Sequence, residues 1–436
     1  MSELSLSAKD PLSGELRLPG DKSLSHRASL FAALAEGESV IDGFPLSGVT
    51  RAMLNALTAL QVSWRLEGER LIVKGRGLPG ICAPSAPINC VYSATTLRLL
   101  AGALAATGTP CVLDGMRGLR TRPMGRITEP LAMMGVPITA IDSCAPLTLA
   151  ARPMETPLRA IDYMQPFPSA QVKSCLILAA LGADGVSTLR EPELSRDHTE
   201  HMLISMGADI RIAGGEAAVE VAPLARPLTP LDIMLPGDIS SAAFLLVAAA
   251  IVPGSSILIR NTGVNPTRTG ILDVLSEMGA KVTVENVRMV ADEPVGDIRL
   301  TSSGLKAIRV SGSTVGRMID EFPAFAIAAC FAEGTTDVFD AAELRNKETD
   351  RIEVLCRELR LLGVELDEYD DGFAVKGGTL KGGTCDASCD HRLAMAFALA
   401  GLRSPEPVRV ANYTILNESF PGFTAALTLL GVKTNG

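Results

Sequence analysis

Six short polar clusters interrupt long Ala- and Leu-rich runs. They are Asp21-Lys22-Ser23-Leu24-Ser25-His26-Arg27, Tyr92-Ser93-Ala94-Thr95-Thr96-Leu97-Arg98, Ser169-Ala170-Gln171-Val172-Lys173-Ser174, Gly237-Asp238-Ile239-Ser240-Ser241, Asp320-Glu321-Phe322-Pro323 and Asp390-His391-Arg392. Each precedes an apolar stretch of helical character, which places it at a helix N-terminus. Ser, Thr and Asp have a structural role there, because their side chains cap the free N–H groups of a first turn. Pro323 suits an early helical position for the same reason. Cations do not, because a positive charge near a helix N-terminus opposes the macrodipole by about 0.3–1 kcal/mol. Lys22, Arg27, Lys173 and Arg392 all carry that cost. Free N–H groups joined by Lys and Arg make a phosphate or carboxylate site. Surface ion pairs are the competing explanation. Further cations lie in Arg117–Met124, Ser195–Glu200 and Glu343–Arg351, each opening a second helix. The last of these reads equally well as a solvated face with i,i+4 pairs.

The elements that must position these residues recur along the chain. An apolar helix ends at a Gly or Pro turn, a β-branched segment follows, and a second helix closes on a pair such as Gly135-Val136, Gly207-Ala208, Gly279-Ala280 or Gly363-Val364. Six such units, spaced about 68 to 84 residues apart, account for the whole sequence. The first helices, exemplified by Leu176–Leu181 and Ala242–Ala250, are apolar on nearly every face and should be buried. The second helices, such as Arg351–Leu362, are amphipathic and belong outside. Six units divide naturally into two domains of three, with Pro236-Gly237-Asp238 as one crossing point.

Composition agrees with a globular α/β protein and excludes several function classes. The chain has 436 residues, more than one core usually serves, with 47% apolar and 20% charged residues. Net charge is −9, aromatics are 4%, and no basic run occurs, which argues against nucleic acid as a partner. No apolar run approaches the roughly 20 residues that span a bilayer. The first ten residues lack the pattern of a signal peptide. Nine cysteines without a Cys-x-x-Cys pair point to free thiols in a reducing cytoplasm. The four histidines complete no zinc signature, and neither a Gly-x-x-x-x-Gly-Lys-Ser/Thr phosphate loop nor a Gly-x-Ser-x-Gly elbow occurs. No metal and no organic cofactor is expected.

Taken in order, the blocks Leu18–Arg27, Ser169–Ser174, Pro236–Ser241, Asp320–Pro323, Glu343–Arg351, Asp390–Arg392 and Ser419–Pro421 resemble the enolpyruvyl transferase family, on the branch whose acceptor is shikimate 3-phosphate. The resemblance spans essentially the whole chain. It implies an inside-out α/β architecture of two domains, each with three repeated units, buried parallel helices and outer sheets. One domain would combine residues 1–20 and 238–436, the other residues 21–237. It also implies substrate-driven closure that brings the six helix N-termini around a cleft. A hinged two-domain enzyme needs no partner to close its site, so a monomer is expected.

The implied reaction transfers the enolpyruvyl group of phosphoenolpyruvate to the 5-hydroxyl of shikimate 3-phosphate and releases phosphate. By motif, Lys22, Ser23, Arg27, Ser169, Ala170, Gln171, Ser195, Asp320 and Lys347 would hold shikimate 3-phosphate. Lys22, Ala94, Arg122, Gln171, Arg351 and Arg392 would hold phosphoenolpyruvate. Asp320 would accept the hydroxyl proton, with Lys22 and Glu348 as the other proton-transfer groups.

Two departures lie on the phosphoenolpyruvate side. Val91-Tyr92-Ser93-Ala94-Thr95 stands where the family usually has Gly-Asn-Ser/Ala-Gly-Thr, so Ala94 puts a methyl group where the backbone should approach substrate. Glu418 stands where many members carry Lys. A tightened pocket that binds glyphosate poorly follows from the first. A divergent acceptor and a non-catalytic phosphometabolite binder are the alternatives these changes leave open.

Overall fold

The apolar runs become helices without a solvent-facing stripe. In the computed structural model, which describes residues 3–153, 155–212 and 217–435, Ile239–Ile251 buries all 13 of its residues. Met1 and Ser2 of the N-terminal stretch lie outside the described residues. Lys22–Leu34, Ala94–Thr107, Ala170–Ala180, Phe322–Cys330 and His391–Ala400 are buried in the same manner. The second helices are amphipathic as expected. Arg351–Leu361 turns Ile352, Leu355, Cys356 and Leu359 inward and leaves Arg357 and Arg360 exposed.

Two compact units form, each with its own hydrophobic core. One comprises residues 1–19, 236–289 and 294–436, the other residues 20–235 and 290–293. In the first, Phe322–Cys330 packs on both Ile239–Ile251 and His391–Ala400. In the second, Ala94–Thr107 packs along Ala170–Ala180 and against Lys22–Leu34.

Small residues permit this packing. A Cβ at Gly102 would overlap the Cys175 carbonyl, so the two helices meet backbone to backbone. Gly75 and Gly377 occupy matching places in their units, where a Cβ would strike the carbonyls of Ala32 and Ala332 at the ends of buried helices.

Among the described residues the strands form six four-stranded sheets. In each, a short strand pairs parallel with a second, and a hairpin-like pair follows antiparallel; Asp162–Met164, Ser187–Arg190, Ala218–Val221 and Ile210–Ile212 show the order. The short strand reaches each sheet from the neighbouring repeat, which links the repeats in a ring. Asp232–Met234, at the end of the third repeat, returns to pair with Glu36–Asp42 of the first, setting Ile233 opposite Ile41. In the other unit the N-terminal strand Glu3–Ser7 lies antiparallel between Val408–Ala411 and Lys433–Asn435.

Candidate functional site

Five of the six buried helices begin with the caps expected of their sequence. Asp21 accepts from the Leu24 N–H, Ser93 from Thr96, Ser169 from Val172, Asp238 from Ser240, and Asp390 from both Arg392 and Leu393. Capping therefore explains those residues locally, and the cations beside them are the informative ones.

In the unit containing residues 20–235, Lys22 and Ser23 are the first two residues of their helix and are half-buried. Arg27, one turn further, is almost wholly buried. Its Nε donates to Thr199 Oγ1 at 2.7 Å, its Nη2 to Ser174 Oγ at 2.8 Å and its Nη1 to the Ser23 carbonyl at 3.1 Å. Burial lowers its pKa to about 10, which leaves it charged at neutral pH. The same helix places His26 Nδ1 2.7 Å from the Lys22 carbonyl and Nε2 3.3 Å from Ser93 Oγ. Burial lowers the His26 pKa to about 4, so the ring is neutral at pH 7. Nδ1 then donates to Lys22 and Nε2 accepts from Ser93.

Gln171 faces the Tyr92–Arg98 segment. Its Nε2 donates to Thr95 Oγ1 at 2.9 Å, and its Oε1 accepts from Arg98, whose Nη2 also donates to the Pro123 carbonyl at 3.2 Å. Arg98 thus ties Gln171 to the loop bearing Arg122, and motif matching assigned it no role. The available signal was an Arg in the second turn of a helix that is otherwise apolar. Ala94 is the first residue of its helix and is buried. Val91 holds a left-handed backbone with φ of 54°, while Tyr92 is exposed. The loop keeps a conformation that suits Gly although a β-branched residue now occupies it.

Lys173 corrects the reading of the N-terminal cations. Its Nζ lies 2.8 Å from Glu191 Oε2 and 2.9 Å from Glu200 Oε1, with all three side chains buried. Burial disfavours the ammonium, but Glu200 and Glu191 together hold its pKa above the ordinary lysine value. Its charge is answered inside the protein, so no external anion is needed to explain it.

The other unit gathers the remaining residues around one carboxylate. Asp320, in the turn before Phe322–Cys330, is half-buried. Lys347 Nζ, Arg351 Nη1 and Arg392 Nη2 stand 4.0, 3.6 and 3.7 Å from its oxygens. Arg392 also donates to the Asp320 carbonyl at 3.1 Å. Arg351 is only 2% exposed and donates through Nε to Asp390 and through Nη2 to Glu348, both at 2.7 Å. Burial opposes its charge, yet Asp390, Glu348 and Asp320 hold its pKa above the usual guanidinium value. Glu418, at the end of the Tyr413–Glu418 turn, is half-buried and forms no ion pair among the described residues. It does not neutralise Arg351 or Arg392.

The sequence profile of EPSP synthase (3-phosphoshikimate 1-carboxyvinyltransferase) matches residues 6–427. The chain belongs to the EPSP synthase family. The family's 3-phosphoshikimate 1-carboxyvinyltransferase of Geobacter sulfurreducens is 45% identical, over 99% of this chain and 100% of its own length. That of Synechocystis sp. is 44% identical, over 95% of this chain and 93% of its own. A solved EPSP synthase structure from Acinetobacter baumannii superposes with a TM-score of 0.88 at 37% identity, covering all of both chains. The architecture is that of the EPSP synthases.

The expected site residues divide between the two units. The unit containing residues 20–235 holds Lys22, Ser23, Arg27, Ala94, Arg122, Ser169, Ala170, Gln171 and Ser195. The other holds Asp320, Lys347, Glu348, Arg351 and Arg392. No helix among the described residues is long and apolar enough to cross a membrane.

Proposed function

We propose that the chain transfers the enolpyruvyl group of phosphoenolpyruvate to the 5-hydroxyl of shikimate 3-phosphate by addition and elimination. The observation that carries this reading is the Asp320 carboxylate with Lys347, Arg351 and Arg392 all within about 4 Å. A base ringed by cations suits a reaction in which a hydroxyl loses its proton beside two polyanions.

In the addition step Asp320 takes the proton of the 5-hydroxyl, and its oxygen attacks C2 of phosphoenolpyruvate. A proton from Lys22 or Glu348 reaches the C3 methylene, which gives a tetrahedral ketal phosphate. Elimination returns a C3 proton to the group that supplied one, re-forms the double bond and expels phosphate, which takes up the proton that Asp320 had accepted. Lys22, Arg122, Gln171, Arg351 and Arg392 hold the phosphoenolpyruvate carboxylate and phosphate. Ser23, Arg27, Ser169, Ala170, Gln171, Ser195 and Lys347 hold shikimate 3-phosphate. Ala94 contributes its backbone to the phosphoenolpyruvate site, and its buried methyl group narrows it, so glyphosate, the longer anion, binds weakly. The protein acts as a cytoplasmic monomer; nine unpaired cysteines support the reducing compartment.

Phosphate release from phosphoenolpyruvate, measured with and without shikimate 3-phosphate, tests the reading. Robust release only with that acceptor is expected. Binding of both substrates without turnover, or release only with a different acceptor, refutes it. Ala94→Gly should lower the glyphosate concentration needed for half-inhibition by about tenfold or more, since a buried methyl group strongly affects a tight pocket. Strong inhibition of the parent enzyme that Ala94→Gly leaves unchanged would remove Ala94 from the account.

A further inference from the structure

Glu191 has no place in the reaction described above, yet two of the residues assigned to shikimate 3-phosphate hang from it. Its side chain is buried. Oε1 accepts the backbone N–H of Ser169 at 3.1 Å, and Oε2 accepts that of Ser195 at 3.3 Å. Ser169 caps the Ala170–Ala180 helix, whereas Ser195 lies in the segment before His198–Ser205. One carboxylate therefore fixes the spacing between two elements. The Ser195 hydroxyl is buried and without a hydrogen-bond partner among the described residues, as befits a group presented to a ligand.

The carboxylate is itself held. Lys173 Nζ contacts Glu191 Oε2 at 2.8 Å and Glu200 Oε1 at 2.9 Å, and reaches the Ser195 carbonyl at 3.4 Å. Glu200 follows Thr199, whose hydroxyl receives Arg27 Nε. The chain of contacts runs from Ser169 through Glu191, Lys173 and Glu200 to the helix that anchors Arg27. Glu191, Lys173 and Glu200 are buried and paired with one another, which is the support that a binding group needs to hold its geometry.

We infer that Glu191 is a positioning residue for the acceptor site, setting Ser169 and Ser195 at the spacing that receives shikimate 3-phosphate. The inference rests on the proposed assignment of those two serines. It makes a prediction opposite in sign to simple electrostatics. Removing a negative charge near a phosphate site should tighten anion binding if charge alone matters, whereas loss of the double N–H clamp should weaken it.

Calorimetric titration of shikimate 3-phosphate into the intact protein and its Glu191→Gln and Glu191→Asp variants distinguishes these. Gln keeps the length but can accept only one of the two N–H groups; Asp keeps the charge but is too short to reach both. Both variants should bind shikimate 3-phosphate about tenfold more weakly, as expected when a charged hydrogen bond is lost. Turnover at saturating substrates and the KM for phosphoenolpyruvate should stay within about threefold. Unchanged or tighter binding by Glu191→Gln overturns the inference, as does an equal loss of phosphoenolpyruvate affinity, which would indicate general loosening. Should Glu191→Gln not fold, near-parental affinity in Glu191→Asp would overturn it. A parent protein that does not bind shikimate 3-phosphate refutes the functional assignment, and the positioning role falls with it.

Discussion

Replacing Lys173 by Met should destabilise the unit containing residues 20–235 strongly, and in a pH-dependent way. Glu191 and Glu200 both lie within 3 Å of the Lys173 ammonium, so the bonded oxygens of the two carboxylates are within about 6 Å of each other. Without the cation, their repulsion is about 3 kcal/mol at an effective dielectric of 20. Removing one partner from a buried ion cluster typically costs about 3–5 kcal/mol, and that range is expected here at pH 7. For a unit of this size the melting midpoint should fall by about 10 °C.

The pH dependence follows from the same carboxylates. In Lys173→Met the two buried carboxylates repel each other with no cation between them, and protonation of either one relieves that repulsion. The deficit therefore shrinks as pH falls from 7 towards 5. In the parent protein, Lys173 itself has a raised pKa. Its contribution is complete below its unfolded value of 10.5 and is lost as pH rises through the folded one. Urea unfolding of both proteins at pH 5 and 7 measures the carboxylate part, and unfolding above pH 10.5 measures the lysine part. A loss under about 1 kcal/mol that does not vary with pH would refute the buried cluster. Weakened substrate binding with unchanged stability would instead restore Lys173 as an anion ligand.

Three further outcomes are expected. Asp320→Asn should lower turnover by about 10²–10⁴, the usual value of a positioned base, with little change in melting temperature; turnover within a few-fold of the parent would remove it from the proton path. Val91→Gly should raise stability in urea by roughly 0.5 kcal/mol, because relieving about 1–2 kcal/mol of left-handed strain outweighs the greater chain entropy of Gly; a destabilised variant would refute the strain. Gly102→Val should destabilise by about 3 kcal/mol or more, since its Cβ would meet the Cys175 carbonyl, and a neutral result by chemical unfolding would show that the two helices can separate.

Much of the architecture is legible in local sequence because its causes are local. The Ala- and Leu-rich runs have no polar face, so they are driven inside; Asp21, Ser93, Ser169 and Asp390 cap helices through N–H groups two or three residues away. The repeated turn-and-helix pattern announced six units for the same reason. Gly102 was less legible, because the need for a bare Cα arises from the Cys175 carbonyl on another helix. The role of Arg98 is not legible in local sequence, because the Pro123 carbonyl and Gln171 that it joins are distant along the chain.

What the sequence by itself determined was the class of chemistry: helix N-termini bearing cations, in an acidic chain without a phosphate-loop or zinc motif, point to anionic partners. It did not distinguish among those cations. Lys22, Arg27, Lys173 and Arg392 occupy similar positions in their helices, but Lys173 is neutralised by Glu191 and Glu200, whereas Arg392 stands against the half-buried Asp320. Tertiary structure decided this because hydrogen-bond caps close over a single turn, while charge pairing depends on which carboxylate the fold delivers. Arg351 meets Asp390 across 39 residues of chain.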